Sequence, residues 1–450
     1  MKKVKFRAII YYMVKVEKII PGGQALGTLE DGRKIFFWNA LPGEDVSEYE
    51  IVKKKSHYYE AIATKIENPS KFRVESKDTC FLSTSPWQII DWDYENRLKS
   101  NLVVEIFREH QIDIKKPEIF TDNNPYYYRN KMEYALYWNN KTELIELAFH
   151  LRGSHRKIPI NNSSIERPEI FTAAQQIADN LNNHHEEARK YQSILLRCNQ
   201  NGEVSGGLYE NHKPHPVFKN LTDDILGQTY SYSPNGFFQI NLPVYELALK
   251  EIKKHISTDN VLDLYAGVGT IGLSVARDKH LVLAENNKAA YTEMCKNCAE
   301  GVFEGGSEPG KARSSAKTPV ADHRRSREKN ELVHSSEMTP DGRLQSTGVL
   351  DAPRKNSPQA ILANSEDMLG FIVSNQTVIL DPPRAGCDKK LIDKLLEVRP
   401  QTIIYLSCNP ATQARDVKIL LDKYENKGVK TFNFFPRTPH IENLVILSSK

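Results

Sequence analysis

The chain has 450 residues, 40% of them hydrophobic and 26% charged, and a formal net charge of +4. This composition is that of a soluble globular protein of about three domains, and the mild positive charge is compatible with a nucleic-acid partner without requiring one. Six cysteines without a disulfide rhythm predict an intracellular, cytoplasmic protein. The short apolar stretch at residues 8–14 lacks a cleavage site, which excludes a signal peptide, and no run approaches the length of a membrane span.

The N-terminal part of the chain predicts a short tail followed by a small β-barrel. Residues 1–12 are expected to be the tail, with Met13 as an alternative start. Residues 13–67 contain short alternating strands, which are typical of an OB-like barrel. The basic residues 53–57 either contact phosphate or form a solvated edge. The strands are separated by Gly22-Gly23, Asp31-Gly32 and Pro42-Gly43.

Residues 68–230 predict a central α+β region. Helical periodicity over about 87–110 predicts a helix that packs on the C-terminal domain. Residues 126–132 mix aromatic and cationic side chains, which suits either RNA bases and phosphates or a core strand with a charged end. A helix is predicted over 168–184, and alternation over 193–219 predicts antiparallel strands.

From residue 231 to residue 450 the pattern becomes strand–helix–strand, which predicts an α/β domain. It is interrupted at 301–358 by a tract rich in glycine, serine, proline and charge. Such a tract cannot bury enough apolar surface to fold, so we predict a disordered insertion that serves as a spacer or touches RNA.

A glycine turn between a buried strand and a helix predicts a nucleoside cofactor. Gly267 and Gly269 allow close backbone approach to a ligand, and Glu285 ends the next strand about 20 residues later. That spacing suits a carboxylate that accepts the ribose hydroxyls. Asp263 within the first strand, and an Ala-Gly-x-Gly turn without a pyrophosphate pattern, favour S-adenosylmethionine over NAD.

A second strand ends in Asp381-Pro-Pro-Arg-Ala-Gly386. The two prolines fix a rigid loop whose carboxylate, Asp381, is expected to face the cofactor crevice. Enzymes that methylate exocyclic amines place an aromatic residue after such a Pro-Pro pair. Because Arg384 stands there, the sequence argues against an amine target.

Cys408 lies between an apolar strand and a helix N-terminus, where a thiolate is favoured. Taken alone, it could equally be a buried structural cysteine, and the late Glu442 could be surface decoration. Methylation of a pyrimidine at C5 nevertheless requires both residue types. A thiolate adds at C6 to activate C5, and a base then removes the C5 proton.

Five stretches, taken in order, resemble the RNA uracil-C5 methyltransferases, which form 5-methyluridine in ribosomal and transfer RNA. The resemblance implies a Rossmann-like class I methyltransferase domain, and the N-terminal barrel resembles the TRAM domain of that family. The stretches are Ser233 to Asn241, the turn from Asp263 to Gly269, Asp381 to Gly386, Ser407 to Pro410 and His440 to Glu442.

The resemblance also implies roles for individual residues. Cys408 would be the nucleophile and Glu442 the proton-abstracting base. The expected S-adenosylmethionine contacts are Gln239, Tyr265, Gly267, Gly269, Thr270, Glu285, Asn364 and Asp381; Thr270 stands where the family often has asparagine. The expected partner is structured RNA, ribosomal rather than transfer RNA, and the protein is expected to act as a monomer.

Departures from the family pattern predict that no iron–sulfur cluster is bound. Many TRAM-bearing members hold a cluster with four cysteines, whereas here Cys80 is followed by serines, and the fourth position falls near Ser163. Serine is a poor cluster ligand. The Cys295/Cys298 pair has metal-like spacing, but packing on a helix face is the preferred interpretation. No metal ligand is therefore predicted.

Two other functions remain open. The first is an RNA-binding protein whose methyltransferase domain is inactive, and the second is cytosine-C5 methylation, which also uses a thiol. The joint presence of Cys408, Glu442 and Asp381 argues against the first, and the residues around Cys408 do not resemble cytosine enzymes.

Overall fold

The computed structural model describes residues 9–10, 13–184, 190–210, 213–215, 218–300 and 357–450. The predicted insertion 301–358, apart from its last two residues, lies outside the described residues, as does most of the predicted tail. In the described ranges, no helix combines the length and the apolar character needed to cross a membrane.

Five N-terminal strands close into a barrel, which confirms the OB-like prediction. Strand β5 pairs with both β2 and β6, so the order β5-β2-β3-β4-β6 returns to its start. Val16, Ile35 and Phe37 alternate with exposed positions and fill the interior. Part of the predicted tail forms β1, which pairs with β5. The strands are β1 Ile9–Ile10, β2 Val14–Ile19, β3 Ala25–Thr28, β4 Lys34–Trp38, β5 Asp45–Lys54 and β6 Tyr58–Glu67.

The central region combines a long helix with an antiparallel sheet of order β10-β9-β8-β11-β12-β13. The helix Trp92–Glu109 (α2) packs against the helix Pro410–Leu420 of the C-terminal domain. It begins at Trp92 and not near residue 87, because the Asp91 side chain accepts a hydrogen bond from the Tyr94 amide and caps it there. The elements are α1 Phe81–Thr84, α2 Trp92–Glu109, β7 Ile119–Phe120, β8 Lys131–Asn139, β9 Leu144–His150, β10 Lys157–Pro159, α3 Pro168–Asn183, β11 Tyr191–Cys198, β12 Val204–Glu210 and β13 Lys213–His215.

A hairpin of β14 (Leu221–Ile225) and β15 (Gln228–Tyr232) follows. Its buried Leu221, Tyr230 and Tyr232 pack in one cluster with the helix and strands of the catalytic domain. The predicted boundary at residue 230 therefore falls inside this hairpin.

The catalytic domain is built on an eight-stranded sheet of order β18-β17-β16-β19-β20-β22-β21-β7. The first five strands are parallel, and the chain reverses direction across the sheet between β16 and β19, where open α/β sheets bind ligands. The elements are α4 Leu242–Lys253, β16 Asn260–Leu264, α5 Thr270–Ala276, β17 His280–Glu285, α6 Lys288–Glu300, β18 Gln359–Leu362, β19 Thr377–Leu380, α7 Lys389–Val398, β20 Thr402–Ser407, α8 Pro410–Leu420, β21 Tyr424–Phe432 and β22 Glu442–Ser449.

Candidate functional site

The carboxyl ends of four neighbouring parallel strands bring most of the predicted site residues to one edge of the sheet. β17 ends at Glu285 and β16 is followed by Tyr265. β19 is followed by Asp381 and β20 by Cys408. Because all four strands run in the same direction, these side chains share the edge at which α/β proteins bind ligands.

Glu442 reaches the same edge from the opposite direction. β22 pairs antiparallel with β20, and Ser407 is the register partner of Asn443. Cys408 and Glu442 occupy the next opposed positions of that ladder, immediately beyond its last pair. Glu442 is buried, with 4% of its surface exposed, and Cys408 is half-buried. The predicted nucleophile and the predicted base are therefore neighbours.

The thiol of Cys408 is held in its protonated form by its surroundings. Burial, followed by the negative charges of Glu442 and Asp381, raises the pKa of Cys408 to about 11, while the positive charge of Arg384 opposes the shift. The helix N-terminus that follows does not overcome these effects. The sequence-based expectation of a thiolate therefore does not hold for the protein without ligands.

The neighbouring carboxyl groups are also shifted toward their neutral forms. Burial raises the pKa of Asp381 to about 7 and that of Asp263 to about 8. Burial and the charge of Asp381 raise the pKa of Glu442 well above its ordinary value. Several acids with raised pKa values in one cleft are a common signature of a functional site, and a cation would be stabilised among them.

The glycine turn after β16 has the conformation that the sequence predicted. Gly267 and Gly269 have φ angles of +59° and +87°, and a Cβ atom at Gly267 would meet nothing within 4 Å. The Glu285 carboxylate accepts hydrogen bonds from the Gly267 amide at 2.8 Å and from the Asn287 amide at 2.7 Å. These bonds fix the acid beside the open backbone of the turn and leave lone pairs on both oxygens for a ligand.

A cavity of about 700 Å³ opens beside this turn. Its wall includes Tyr265, Glu285 and Asn364 but not Cys408 or Glu442. Its size is in the range of small-molecule sites. Asn364 lies next to Glu285 because β18 pairs with β17, with Leu362 opposite Glu285. The residues of this wall therefore fit a nucleoside.

Five of the predicted cofactor residues do not line this cavity: Gln239, Gly267, Gly269, Thr270 and Asp381. Thr270 starts α5, is buried, and contacts the Tyr245 hydroxyl. The backbone of Gln239 is held by the Asn130 side chain, whose amide nitrogen donates to the Gln239 carbonyl at 3.0 Å. Two residues further along the chain, the side-chain amide group of Asn241 is buried, and neither its nitrogen nor its oxygen makes a hydrogen bond within the described part of the protein.

The cations of the segment 126–132 are turned inward. Lys131 donates to the carbonyls of Asn235 and Gly236, at 3.1 and 3.0 Å. Burial and the charges of Arg197 and Arg129 lower the pKa of Lys131 to about 8. Between the two interpretations that the sequence left open, these contacts favour a structural role for Lys131, whereas Tyr127 remains 47% exposed.

Sequence reasoning missed a buried polar network that joins the strands of the site. The Gln413 side-chain amide donates to the carbonyls of Tyr405 and Asn443, at 2.7 and 3.0 Å. Asn443 donates back to Gln413 at 2.7 Å and accepts from the Thr431 hydroxyl at 3.0 Å. The available signal was the presence of Asn443 in an otherwise apolar strand.

From the sequence, Arg384 was used only to argue against an amine target, because amine-methylating enzymes have an aromatic residue at its position. Its carbonyl accepts from the Asn409 side chain at 2.8 Å and from the Thr412 hydroxyl at 3.2 Å. These bonds tie the loop of Asp381 to the helix that follows Cys408. The Arg384 guanidinium therefore lies close enough to act on the thiol electrostatically.

Two other predicted clusters have ordinary environments. Cys295 and Cys298 are half-buried on α6, and no group of three potential metal ligands occurs among the described residues. On the barrel, Lys53 pairs with Glu60 at 2.6 Å, and the Lys54 ammonium lies 5.4 Å from the centre of the Tyr59 ring.

Comparisons with known proteins identify related sequences. Residues 368–450 match the family model described as tRNA (Uracil-5-)-methyltransferase. A protein of Bacillus anthracis named as an uncharacterized RNA methyltransferase is 25% identical over 98% of this chain and 97% of its own. A protein of the same description from Fusobacterium nucleatum is 24% identical over 100% and 97%.

A solved structure shares the fold over nearly the whole length. It is that of the tRNA (uracil-54, C5)-methyltransferase of Pyrococcus abyssi in complex with S-adenosyl-L-homocysteine. The TM-score is 0.66, the identity is 19%, and the match covers 97% of this chain and 100% of the other. At this identity the likeness shows the fold alone, which here is an α/β domain preceded by an N-terminal barrel.

The raised pKa of Cys408 predicts slow alkylation at neutral pH. The rate of iodoacetamide labelling of the Cys408 peptide, followed by mass spectrometry, should rise about tenfold per pH unit from pH 7 toward pH 10, because only the thiolate reacts. The ionised form of Glu442 raises the pKa of Cys408, so Glu442→Gln should make labelling faster toward pH 10, where Glu442 is ionised in the wild type. A rate that is flat above pH 8 would contradict this environment.

Proposed function

We propose that the chain belongs to the RNA uracil-C5 methyltransferase family, whose model matches residues 368–450, and that it transfers the methyl group of S-adenosylmethionine to C5 of a uridine in structured RNA. The observation that carries this proposal is the pairing of Cys408 with Glu442 at the end of the β20–β22 ladder, with Asp381 on the adjacent strand. A thiol and a separate base on one edge are the two groups that the chemistry at C5 requires.

Cys408 acts as the nucleophile in this proposal. Its sulfur forms a bond to C6 of the uracil, and the electrons of the C5–C6 double bond move toward the O4 carbonyl. C5 thereby becomes enolate-like and able to accept a methyl group. Because the negative charges nearby raise the pKa of Cys408, the thiolate forms more readily once a positive charge enters the cleft.

Glu442 completes the reaction. After methylation, C5 carries both a methyl group and a hydrogen, and Glu442 takes that proton. The electrons of the C5–H bond restore the double bond and expel the Cys408 thiolate. The raised pKa of Glu442 suits this step, because a carboxylate with a pKa nearer neutrality is a stronger base.

S-adenosylmethionine supplies the electrophilic methyl group on a sulfonium. Glu285 and Asn364 would hold its nucleoside in the cavity, and the turn at Gly267 and Gly269 would lie against it. Asp381, at the end of β19, would face the sulfonium end, where its charge favours a cation. Tyr265, Thr270 and Gln239 complete the proposed cofactor set.

The RNA would be held by the two N-terminal units, residues 13–67 and 68–230, while residues 231–450 carry out the chemistry. The exposed Tyr127 is available to stack on a base. A cytoplasmic monomer is part of this proposal. Ribosomal RNA is the first candidate substrate. Transfer RNA is the second, because the Pyrococcus protein named for a tRNA substrate matches 97% of this chain.

Nucleoside mass spectrometry of fractionated RNA tests the substrate. In cells that lack the gene, 5-methyluridine should disappear from one position in the ribosomal RNA fraction and return when the gene is restored. Loss from the transfer RNA fraction alone would select the second candidate. No change in either fraction would contradict the proposed activity.

The Glu442→Gln variant should accumulate a covalent protein–RNA adduct, because the thioether can no longer be eliminated. The adduct is measured on a denaturing gel with radiolabelled RNA and S-adenosylmethionine. The control is the double variant Cys408→Ala/Glu442→Gln, which should form no adduct while still binding S-adenosylhomocysteine. A Glu442→Gln enzyme that turns over normally would refute the role of the base.

We also propose that the protein binds no iron–sulfur cluster. Burial and the charge of Asp78 raise the pKa of Cys80 to about 12, which disfavours the thiolate that iron requires. The hydroxyl of Ser163, near the predicted fourth position, donates to Glu166. Protein purified without oxygen should therefore contain neither iron nor acid-labile sulfide in stoichiometric amount. Four irons per chain would overturn this proposal.

A further inference from the structure

The segment that leads into Glu442 is held by parts of the chain far from it in sequence. Residues 433–441, here called the base loop, connect β21 to β22 and end beside Glu442. Loops of this kind are usually mobile. A group that must remove a proton at a defined carbon nevertheless needs a fixed position.

Helix α2 contributes the first set of contacts. Lys99, which is fully buried, donates to the Asn433 side-chain oxygen at 2.6 Å and to the Phe435 carbonyl at 3.0 Å. Glu95, also fully buried, accepts from the Arg437 amide at 3.0 Å and pairs with Lys99 at 3.2 Å. Two charges on one helix thus hold both halves of the base loop.

The segments on either side of α2 supply further contacts. The Trp87 amide donates to the Arg437 carbonyl at 3.0 Å, and the Tyr128 hydroxyl donates to the Pro436 carbonyl at 3.0 Å. The Trp87 indole also donates to the Gly23 carbonyl at 3.0 Å, which joins this region to the barrel. Consecutive carbonyls of the base loop therefore have partners from outside the catalytic domain.

The barrel itself touches the base loop at Gly23. A Cβ atom built on Gly23 would lie 2.1 Å from the Cβ of Pro439, three residues before Glu442. Gly23 has a φ angle of +90°, and its neighbour Gly22 has a φ of +97° with nothing within 4 Å of its Cβ position. Gly23 therefore lies so close to Pro439 that no side chain fits at position 23, whereas a Cβ atom at position 22 would meet open space.

From these contacts we infer that the N-terminal half of the protein clamps the base loop and thereby positions Glu442 for proton abstraction, with Gly23, Glu95 and Lys99 as positioning residues. This inference rests on the proposed role of Glu442. None of the three residues needs to touch RNA or cofactor. Their effect is expected in the last step, because the base loop leads directly into Glu442, whereas the residue after Cys408 is held by the Asp381 loop through the bond from Asn409 to the Arg384 carbonyl.

The clamp predicts a specific kinetic defect in Gly23→Ala. The added methyl group must displace Pro439, and a misplacement of about 1 Å can slow a reaction roughly 100-fold. Multiple-turnover methylation should fall by roughly 10- to 100-fold, and the protein–RNA adduct should accumulate as in Glu442→Gln. The dissociation constant of S-adenosylhomocysteine, measured by calorimetry on the full-length protein, should stay within about twofold of the wild-type value.

Gly22→Ala is the matched control. It introduces the same backbone strain at the adjacent residue without a contact, so its turnover and adduct level should equal those of the wild type. Lys99→Met is the second variant, because it removes both donors to the base loop while keeping an apolar stem of similar length. It should accumulate adduct even if Gly23→Ala does not fold.

The outcomes separate the clamp from the proposed function. If Glu442→Gln forms no adduct, the assignment of the base is wrong and the clamp has nothing to position. If Glu442→Gln forms adduct but neither Gly23→Ala nor Lys99→Met does, the clamp is refuted. Slow turnover without adduct, or an equal defect in Gly22→Ala, would likewise show that these residues act only through stability.

Discussion

The antiparallel pairing of β20 with β22 is the constraint on which the candidate site depends. The parallel strands of the sheet present their carboxyl ends at one edge, and this alone would place Asp381 and Cys408 there. Glu442 begins a strand, so it can reach that edge only because β22 runs in the opposite direction. A register slip of one residue would turn its side chain to the other face of the sheet. The buried bonds between Gln413 and Asn443 resist such a slip.

The same pairing of β20 with β22 brings several acidic groups close together. Asp381, Glu442 and Cys408 are all acids, and burial removes the solvent that would otherwise screen their charges. The charge of Asp381 raises the pKa of Glu442, and the charges of Glu442 and Asp381 raise the pKa of Cys408. The neutral forms are therefore favoured in the protein alone. A cation in this cleft reverses that balance, since it stabilises the carboxylates and the thiolate together. An S-adenosyl sulfonium and an activated thiol are thus coupled requirements of the proposed reaction.

Local patterns in the sequence predicted the parts of the fold that local physics determines. Strand β4 alternates from Lys34 to Trp38 between turn residues, and the structure has it with those bounds. The glycine turn at Gly267 and Gly269 follows from the need for positive φ angles. The start of α2 was misplaced because apolar periodicity continues through Trp87, whereas the cap at Asp91 depends on one side-chain bond.

The parts that sequence reasoning missed are long-range. Asn130 and Lys131 looked suited to RNA, yet they bond to carbonyls about 100 residues away in the chain. No local period encodes such a partner. Gln413 is inconspicuous on a helix, and its function as a link between strands exists only after β20 and β22 have paired. The expectation that Cys408 is a thiolate considered only the helix N-terminus, which is visible in the sequence. The acids that raise the pKa of Cys408 come from distant parts of the chain, and no local pattern shows them.

The buried pair of Glu95 and Lys99 is better explained by geometry than by stability. Burial lowers the pKa of Lys99 to about 8, so the charged form is disfavoured even beside its partner. A pair of apolar residues of similar volume often costs less free energy than a buried ion pair. Apolar side chains could not, however, hold the carbonyl of Phe435 and the amide of Arg437 in place. The desolvation of these charges costs free energy, and the hydrogen bonds that they make fix the path of the base loop. This accounts for a buried ion pair between α2 and the base loop.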